Sequence, residues 1–267
     1  MVWFESSVDR IPLSLQVVHN YRMPLTTQPR KPFLTAEWRN LAMLNFAVDP
    51  AVVLPFVPKG TEIDHWNGQT YVSLVGFQFL NTRVLGVGIP YHRDFPEVNL
   101  RFYVKRQAED GWRRGVVFVR EIVPRRAIAW TAQALYGERY IALPMSHRID
   151  ERGGGVRDVS YSWWLRGREN RIALTVSGPS CDVAEGSEIE FISEHYWGYA
   201  RRRGGRTTEY RVEHPRWRVQ FAHDVSVDCD VAGLYGDAFV ESLSAPPVSA
   251  FLAEGSPVTV FRGTDLG

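Results

Sequence analysis

Lysine and cysteine are scarce in this sequence, and each shortage restricts the chemistry available. The 267 residues include only the lysines Lys31, Lys59 and Lys105, so a reaction that needs a free amine has few candidate nucleophiles. The cysteines Cys181 and Cys229 have neither the spacing of a metal site nor a disulfide framework. The seven histidines are scattered and show no HExxH motif. We therefore predict no metal site and no cofactor.

The charge of the sequence does not indicate a nucleic-acid partner, and the length of its apolar runs does not indicate a membrane partner. The formal net charge is +1, and the short basic run 201–203 precedes two glycines, as expected of a solvated turn. No apolar run approaches the roughly 20 residues that a membrane helix needs. The opening MVWFESSVDR lacks the basic start and apolar centre of a secretory signal. These absences predict a cytoplasmic protein that binds neither nucleic acid nor a membrane.

The turn signals indicate a mainly β domain with a few short helices. Asn67-Gly68 and Asp110-Gly111 each lie between β-like runs and predict hairpins, and a third turn is predicted over 167–170. Pro215 separates two further strands. Because no linker or repeat interrupts the pattern, we predict an N-terminal arm over 1–32 and a single domain over 33–267.

Three segments carry helix signals. Asp49 before Pro50 predicts a short helix with an N-cap, and Ser187 with Glu190 three residues later predicts a second. Apolar residues at helical spacing predict a third helix over 124–137.

The stretch FPEVNLRFYV, Phe95 to Val104, alternates strictly from residue 97 onward. Its even positions are apolar, whereas its odd positions are Glu97, Asn99, Arg101 and Tyr103. On a β-strand these four polar groups share one face. That face either meets solvent on an amphipathic strand, which the pattern alone favours, or lines a polar pocket.

Long phrases of the sequence resemble a known family. They are FLTAEWRNLAMLNFAVDPAVVLPFVPKGTEIDHWNGQTYVSLVGF, FPEVNLRFYV and SEHYWGYARRRGGRTTEYRVEHPRWRV. Together they are similar to the YqjF-like family of uncharacterised bacterial proteins, which is related to the acetoacetate decarboxylase-like superfamily. The resemblance extends from about Phe33 to Gly263. It implies a cone-shaped antiparallel β-barrel with short flanking helices and an interior pocket.

The superfamily's decarboxylases use a lysine that forms a Schiff base, and this sequence departs from that pattern. The resemblance places the lysine within 132–145, where the only cation is Arg139, and a guanidinium supplies no free amine. Lys105 shares the strand parity of Glu97 but lies about 26 Å further along at about 3.3 Å per residue. Lys31 and Lys59 adjoin prolines in loop-like segments. The resemblance therefore predicts a pocket without imine chemistry.

The resemblance also suggests which residues line that pocket. Glu97 resembles a pocket carboxylate of the superfamily, and an inward-facing strand would bring Asn99 and Arg101 with it; Glu97 and Arg101 could then hold each other charged. The segment SEHYWGYARR adds aromatic groups with polar tips, which are equally typical of core packing. The predicted ligand-binding residues are Glu97, Asn99, Arg101, Tyr140, His195, Trp197 and Tyr210.

Two functions remain open on this basis, and a scaffold with a vestigial pocket is a third possibility. The first is a small-molecule-binding barrel for an organic ligand that is anionic or bears a carbonyl. The second is a carbon–carbon lyase or hydrolase in which Glu97 or His195 transfers the proton, although a satisfied structural histidine is the more ordinary role for His195. The sequence leaves a homo-oligomer possible and identifies no other partner.

Overall fold

The computed structural model describes residues 31–126, 139–202 and 204–266. The predicted N-terminal arm, except for its last two residues, lies outside this described part. So does most of the predicted helix over 124–137.

Fourteen strands and four short helices make up the described residues. The strands are β1 Pro32–Ala47, β2 Glu62–Ile63, β3 Tyr71–Val84, β4 Phe95–Ala108, β5 Gly111–Val123, β6 Tyr140–Ala142, β7 Met145–Arg152, β8 Val156–Leu165, β9 Arg168–Val176, β10 Trp197–Arg201, β11 Thr207–Glu213, β12 Val219–Asp228, β13 Ser249–Phe261 and β14 Thr264–Asp265. The helices are α1 Pro50–Val53, α2 Glu188–Ser193, α3 Val231–Tyr235 and α4 Val240–Ser244. Single 3₁₀ turns occupy Leu54–Phe56, Gly153–Gly155 and Asp237–Phe239.

Seven of the strands close into a barrel. Their order is β11, β10, β5, β4, β3, β1 and β13. The ring closes because β13 also pairs with β11, through Val212 opposite Val260 and Glu213 opposite Thr259. Closure satisfies the edge groups of both strands and encloses an interior. The predicted mainly β barrel with few helices is confirmed.

The remaining large strands form a second layer outside the barrel. The first part of β13 pairs with β12, and the sheet continues through β9, β8 and β7. Tyr161 on β8 packs so closely on Gly76 of β3 that a Cβ at Gly76 would lie 2.5 Å from its ring. The Tyr161 hydroxyl donates to the Asn40 carbonyl at 2.7 Å. The largest hydrophobic core lies between these two layers.

The local sequence signals are confirmed at most positions. The Asp49 side chain accepts from the Ala51 N–H at 2.8 Å, and Ser187 accepts from the Glu190 N–H at 3.2 Å. Asn67 and Gly68 both have positive φ, at 49° and 79°, as a tight hairpin requires. The turn between β4 and β5 begins one residue earlier than predicted, because Gly111 already pairs with Ala108.

Strand β4 is buried on both faces, so the interpretation of its polar face as solvent-exposed is wrong. The even positions Val98, Leu100, Phe102 and Val104 belong to the core between the layers. The odd positions point into the barrel, where Glu97 and Asn99 are each only 2% exposed. The alternating residues of β4 therefore face two different buried environments, the core between the layers and the interior of the barrel, and not core on one side and water on the other.

Candidate functional site

The barrel interior holds a cavity of about 230 Å³. This exceeds the ~150 Å³ of an engineered apolar cavity known to bind benzene. Most of the described side chains on its wall are hydrophobic. The polar groups that matter for its chemistry are Glu97, Asn99, Arg101, Glu121, Tyr140 and His195.

Three adjacent strands place Asn99, Glu121 and Tyr140 side by side. Asn99 on β4 pairs with Glu121 on β5, and Glu121 pairs with Tyr140 on β6. A β-bulge on β5 makes the alignment possible, because Leu100 pairs with Arg120 whereas Arg101 pairs with Phe118. The extra residue in the bulge lets Phe118 and Glu121 both line the cavity despite their opposite parity.

Glu97 is buried, and its environment brings its pKa close to neutrality. Asn99 Nδ2 donates to Glu97 Oε1 at 3.1 Å, and the Tyr140 hydroxyl donates to Oε2 at 3.4 Å. Burial raises the pKa of Glu97 to about 7, against the lowering effects of these two hydrogen bonds and of the Arg101 charge. Both protonation states are therefore populated near pH 7, as general acid–base catalysis requires.

The Tyr140 hydroxyl lies between two acidic groups. It hydrogen-bonds Glu121 as well as Glu97. Burial and the charges of both carboxylates raise the pKa of Tyr140 well above its ordinary value. Tyr140 thus remains protonated at physiological pH and acts as a hydrogen-bond donor in the cavity wall.

Arg101 does not form the predicted ion pair with Glu97. The two residues are four positions apart, about 13 Å along an extended strand, and Asn99 lies between them. Arg101 instead donates from Nη2 to the Ile192 carbonyl at the end of α2, at 3.3 Å. Its buried Nε has no hydrogen-bond partner in the described part of the chain. The guanidinium therefore keeps both its charge and a donor for a ligand.

His195, just after α2, presents a buried imidazole to the cavity. Its ring stacks on Tyr103 with centroids 4.7 Å apart and meets Phe191 edge-on at 5.9 Å. Among the described residues neither ring nitrogen makes a hydrogen bond of good geometry, although the imidazole does interact with the backbone of Ile192. Burial, reinforced by the charges of Arg114 and Arg101, holds the pKa of His195 well below its usual range. The neutral ring thus offers one donor and one acceptor.

A chain of buried hydrogen bonds supports the stacking partner of His195. The Tyr103 hydroxyl shares a 2.5 Å hydrogen bond with Ser73, which donates to Asn45 Oδ1 at 2.6 Å. Asn45 donates onward to Ser249, and Ser249 donates to Glu188 at the start of α2. This network connects helix α2, which ends just before His195, to the strands of the barrel wall.

The other two predicted residues lie on β10 and β11. Trp197 lines the cavity and lies under the Arg113 guanidinium, 4.2 Å from its ring centroid. Tyr210 crosses over Gly198, where a Cβ would lie 2.1 Å from Tyr210 Cζ. The structure therefore brings all seven predicted residues to one cavity wall. Their binding of a ligand remains a prediction.

Sequence reasoning missed several cavity residues. Glu121 is the most important of them, and its signal was the charged pair Arg120-Glu121 within the otherwise apolar run VVFVREIV at 116–123. Trp38 and Ser193 also line the cavity without having been predicted. Their positions follow from the register of β1 and the end of α2, which local patterns do not reveal.

None of the three lysines, all of which lie in the described residues, lines the cavity. Lys31 and Lys59 are exposed. Lys105 forms an ion pair with Glu62 at 3.3 Å and lies 4.9 Å from the Trp112 ring centroid. Arg139 is exposed and lies over the ring of Phe56, which is not part of the cavity wall. The cavity wall thus contains no lysine that could form an imine.

No group of three or more His, Cys, Asp or Glu side chains in the described part of the chain is placed to hold a metal ion. No described helix has the length and apolar character needed to cross a bilayer.

A family model for DUF2071, described as an uncharacterised conserved protein, matches residues 35–257. The chain belongs to the DUF2071 family. The YqjF protein of Bacillus subtilis (strain 168), itself described as uncharacterised, is 35% identical to this DUF2071 protein over 75 residues. That match spans 28% of the chain and 31% of the relative, which is about a third of the relative's length.

Solved structures share the fold of this DUF2071 protein. The enduracididine biosynthesis enzyme MppR, complexed with pyruvate, aligns with a TM-score of 0.64 and 15% identity over 91% of this chain and 93% of its own. Acetoacetate decarboxylase from Legionella pneumophila aligns with a TM-score of 0.60 and 10% identity over 94% and 93%. At these identities the likeness establishes the fold alone. The predicted acetoacetate decarboxylase-like fold is confirmed.

Proposed function

We propose that this DUF2071 protein binds a small organic ligand with a carboxylate or carbonyl group in its barrel cavity, without forming an imine. The observation that carries the proposal is the buried Arg101 Nε, which has no hydrogen-bond partner among the described residues, on the same cavity wall as the His195 imidazole. A buried polar group without a hydrogen bond costs about 1–3 kcal/mol. A ligand whose oxygens accept from Arg101 and His195 removes that cost.

Charge supports an anionic or strongly polarised ligand. Arg101 is 8% exposed and has no ion pair among the described residues. An anion beside it replaces the solvation that the guanidinium loses on burial. MppR, which shares the fold, is complexed with pyruvate in one structure and with the condensation product of pyruvate and imidazole 4-carboxaldehyde in another. Small oxo acids are therefore the first ligands to test.

The binding experiment compares wild type with Arg101→Met by thermal shift and calorimetry, using pyruvate, 2-oxobutanoate and acetoacetate. We expect at least one ligand to raise the melting temperature of wild type and not that of Arg101→Met. Arg216→Met is the control, because Arg216 is exposed and lies away from the cavity wall. Equal ligand responses in wild type and Arg101→Met would remove Arg101 from the site.

The second candidate function, a carbon–carbon lyase or hydrolase, is favoured by one observation. Burial raises the pKa of Glu97 to about 7, and Glu97 hydrogen-bonds Asn99 and Tyr140 on the cavity wall. A carboxylate in this state can remove a proton from the carbon next to a carbonyl and return it. In D₂O that step exchanges carbon-bound hydrogen of an oxo acid for deuterium, which proton NMR detects. Exchange that Glu97→Gln leaves unchanged would exclude Glu97 as the base.

The predicted cytoplasmic location, the possible homo-oligomer and the single domain over 33–267 are part of this proposal. Fractionation of cells tests the cytoplasmic location, and light scattering on the purified protein tests the homo-oligomer. Limited proteolysis tests the single domain, which requires one stable fragment from near residue 33 to the C-terminus.

A further inference from the structure

The cavity changes character along its length. On β4, the wall residues run Arg101, Asn99, Glu97 and Phe95 toward the loop that joins β3 to β4. On the facing strand β3, Phe79 pairs with Phe95 and Phe77 pairs with Glu97, so aromatic rings extend along the wall as far as Glu97. Arg101 and Asn99 thus lie toward one end of the cavity, whereas Phe79 and Phe95 lie toward the other, an aromatic end where Thr82 and His92 also line the wall.

The polar end is the closed one. Helix α2 covers it, with Ile192 and Ser193 buried, and Arg101 is hydrogen-bonded to the Ile192 carbonyl there. The aromatic end lies toward the 85–94 loop, which contributes Ile89 to the wall. Ile89 is 47% exposed, whereas Arg101 and His195 are 8% and 7% exposed. A ligand that enters beside Ile89 therefore passes the aromatic rings before it reaches the polar groups.

These rings form a connected aromatic throat, comprising Trp38, Phe77, Phe79, Phe95 and Trp217. Trp38 meets Phe77 edge-on at 5.6 Å and Phe79 at 5.9 Å. Phe79 stacks on Phe95 at 4.8 Å. Such an arrangement presents both ring faces and ring edges, and planar aromatic groups bind to both more favourably than their buried area alone predicts.

We infer that the ligand is an aromatic monocarboxylate, with its ring in the aromatic throat and its carboxylate at Arg101 and His195. This inference rests on the proposed function and names its ligand class. The polar end alone is satisfied by any short anion. The throat adds a requirement for an apolar planar body, which a short aliphatic acid lacks.

Trp38 provides independent support for an occupant of the throat. Its indole N–H is buried and has no hydrogen-bond partner among the described residues. The neighbouring Trp217, by contrast, donates from its indole nitrogen to Ser256 Oγ at 2.8 Å. An aromatic ligand can accept from Trp38 through its π face or a ring substituent, which an alkyl chain cannot do.

Calorimetric titration with three matched probes tests the inference. They are 3-phenylpropionate, propionate without the ring, and 3-phenylpropanamide without the charge. We expect 3-phenylpropionate to bind at least about tenfold more tightly than either partial probe, because burial of the ring and pairing of the carboxylate each contribute to binding. Phe77→Ala should lower its affinity about tenfold or more and should lower the affinity for propionate by less.

The outcomes separate the two proposals. If propionate binds as tightly as 3-phenylpropionate and Arg101→Met weakens both, the proposed anion site stands and the aromatic inference fails. If 3-phenylpropionate binds and Arg101→Met has no effect, the proposed function itself fails. Arg101→Lys provides a second variant should Arg101→Met not fold, because it keeps the charge and removes the planar donor set.

Discussion

Asn99 donates a hydrogen bond to Glu97 across 3.1 Å, and both residues are buried on the same cavity wall. The contact stabilises the ionised form of Glu97, yet burial outweighs it and raises the pKa to about 7. Glu97 therefore gains and loses its proton in the physiological pH range. Tyr140 and Arg101 are the other groups that act on its pKa.

Glu97→Gln should remove a loss of folding stability that occurs in wild type as the pH rises from about 4.5 to 7. The pKa of Glu97 is raised from 4.5 to about 7 on folding, so the folded protein holds a proton that the unfolded chain has released. The resulting stabilisation is fully present below pH 4.5 and is lost as the pH rises to 7, by up to about 3 kcal/mol. Urea unfolding of wild type and variant in half-unit pH steps measures the difference.

Glu62→Gln is the matched control for this experiment, since Glu62 is exposed and outside the cavity. It should leave the pH dependence unchanged. If the free energy of unfolding changes with pH in the same way in wild type and in Glu97→Gln, the pKa of Glu97 is not raised on folding.

His195→Phe should make the fold less sensitive to acid. Because burial and the charges of Arg114 and Arg101 depress the pKa of His195, the stability that it contributes is present above pH 6.5 and is lost as the pH falls below that value. Phenylalanine keeps a ring on Tyr103 but does not titrate. The unfolding midpoint in urea at pH 8 and pH 5 should differ less for the variant than for wild type.

The exposed His223 supplies the control, as His223→Gln. Between pH 4.5 and 6.5 the contributions of Glu97 and His195 have opposite slopes, so the two variants should deviate from wild type in opposite directions. Deviations of the same sign would contradict one of the two assignments.

Gly198→Ala should destabilise the protein by about 1–3 kcal/mol, because a new Cβ must displace the ring of Tyr210. That Cβ would lie 2.1 Å from Tyr210 Cζ on the neighbouring strand. Chemical denaturation measures the loss, and ligand titration should show weaker binding because Tyr210 lines the cavity. Gly153→Ala, where no atom lies within 4 Å of the added Cβ, is the control. Equal stability of Gly198→Ala and wild type would place the Tyr210 ring elsewhere.

Borohydride reduction in the presence of pyruvate should add no mass to the protein. Imine formation requires a lysine at the bound carbonyl, and the three lysines of the chain lie away from the cavity wall. Formaldehyde with the same reductant should modify the exposed Lys31 and Lys59 and so show that the reaction works. A pyruvate adduct mapped by mass spectrometry to one lysine would overturn the proposed imine-free site.

The sequence by itself determined the local structure and the identity of the polar strand. Alternation from Glu97 to Val104 defined the two faces of β4, and the side chains of Asp49 and Ser187 fixed the starts of α1 and α2. The sequence also shows that residues 132–145 contain no lysine, so the nucleophile that the family resemblance implies is absent there. All of these signals act over a few residues, through backbone hydrogen bonds and side-chain periodicity.

Only the tertiary structure decided what the polar face of β4 meets. Closure of β11 on β13 converts that face from a surface into an interior, and nothing within β4 encodes this pairing. The β5 bulge brings Glu121 to the cavity, and the carbonyl of Ile192 draws Arg101 away from Glu97. These contacts join residues separated by tens of positions in the chain. Their geometry depends on strand register and barrel closure, which local periodicity does not specify.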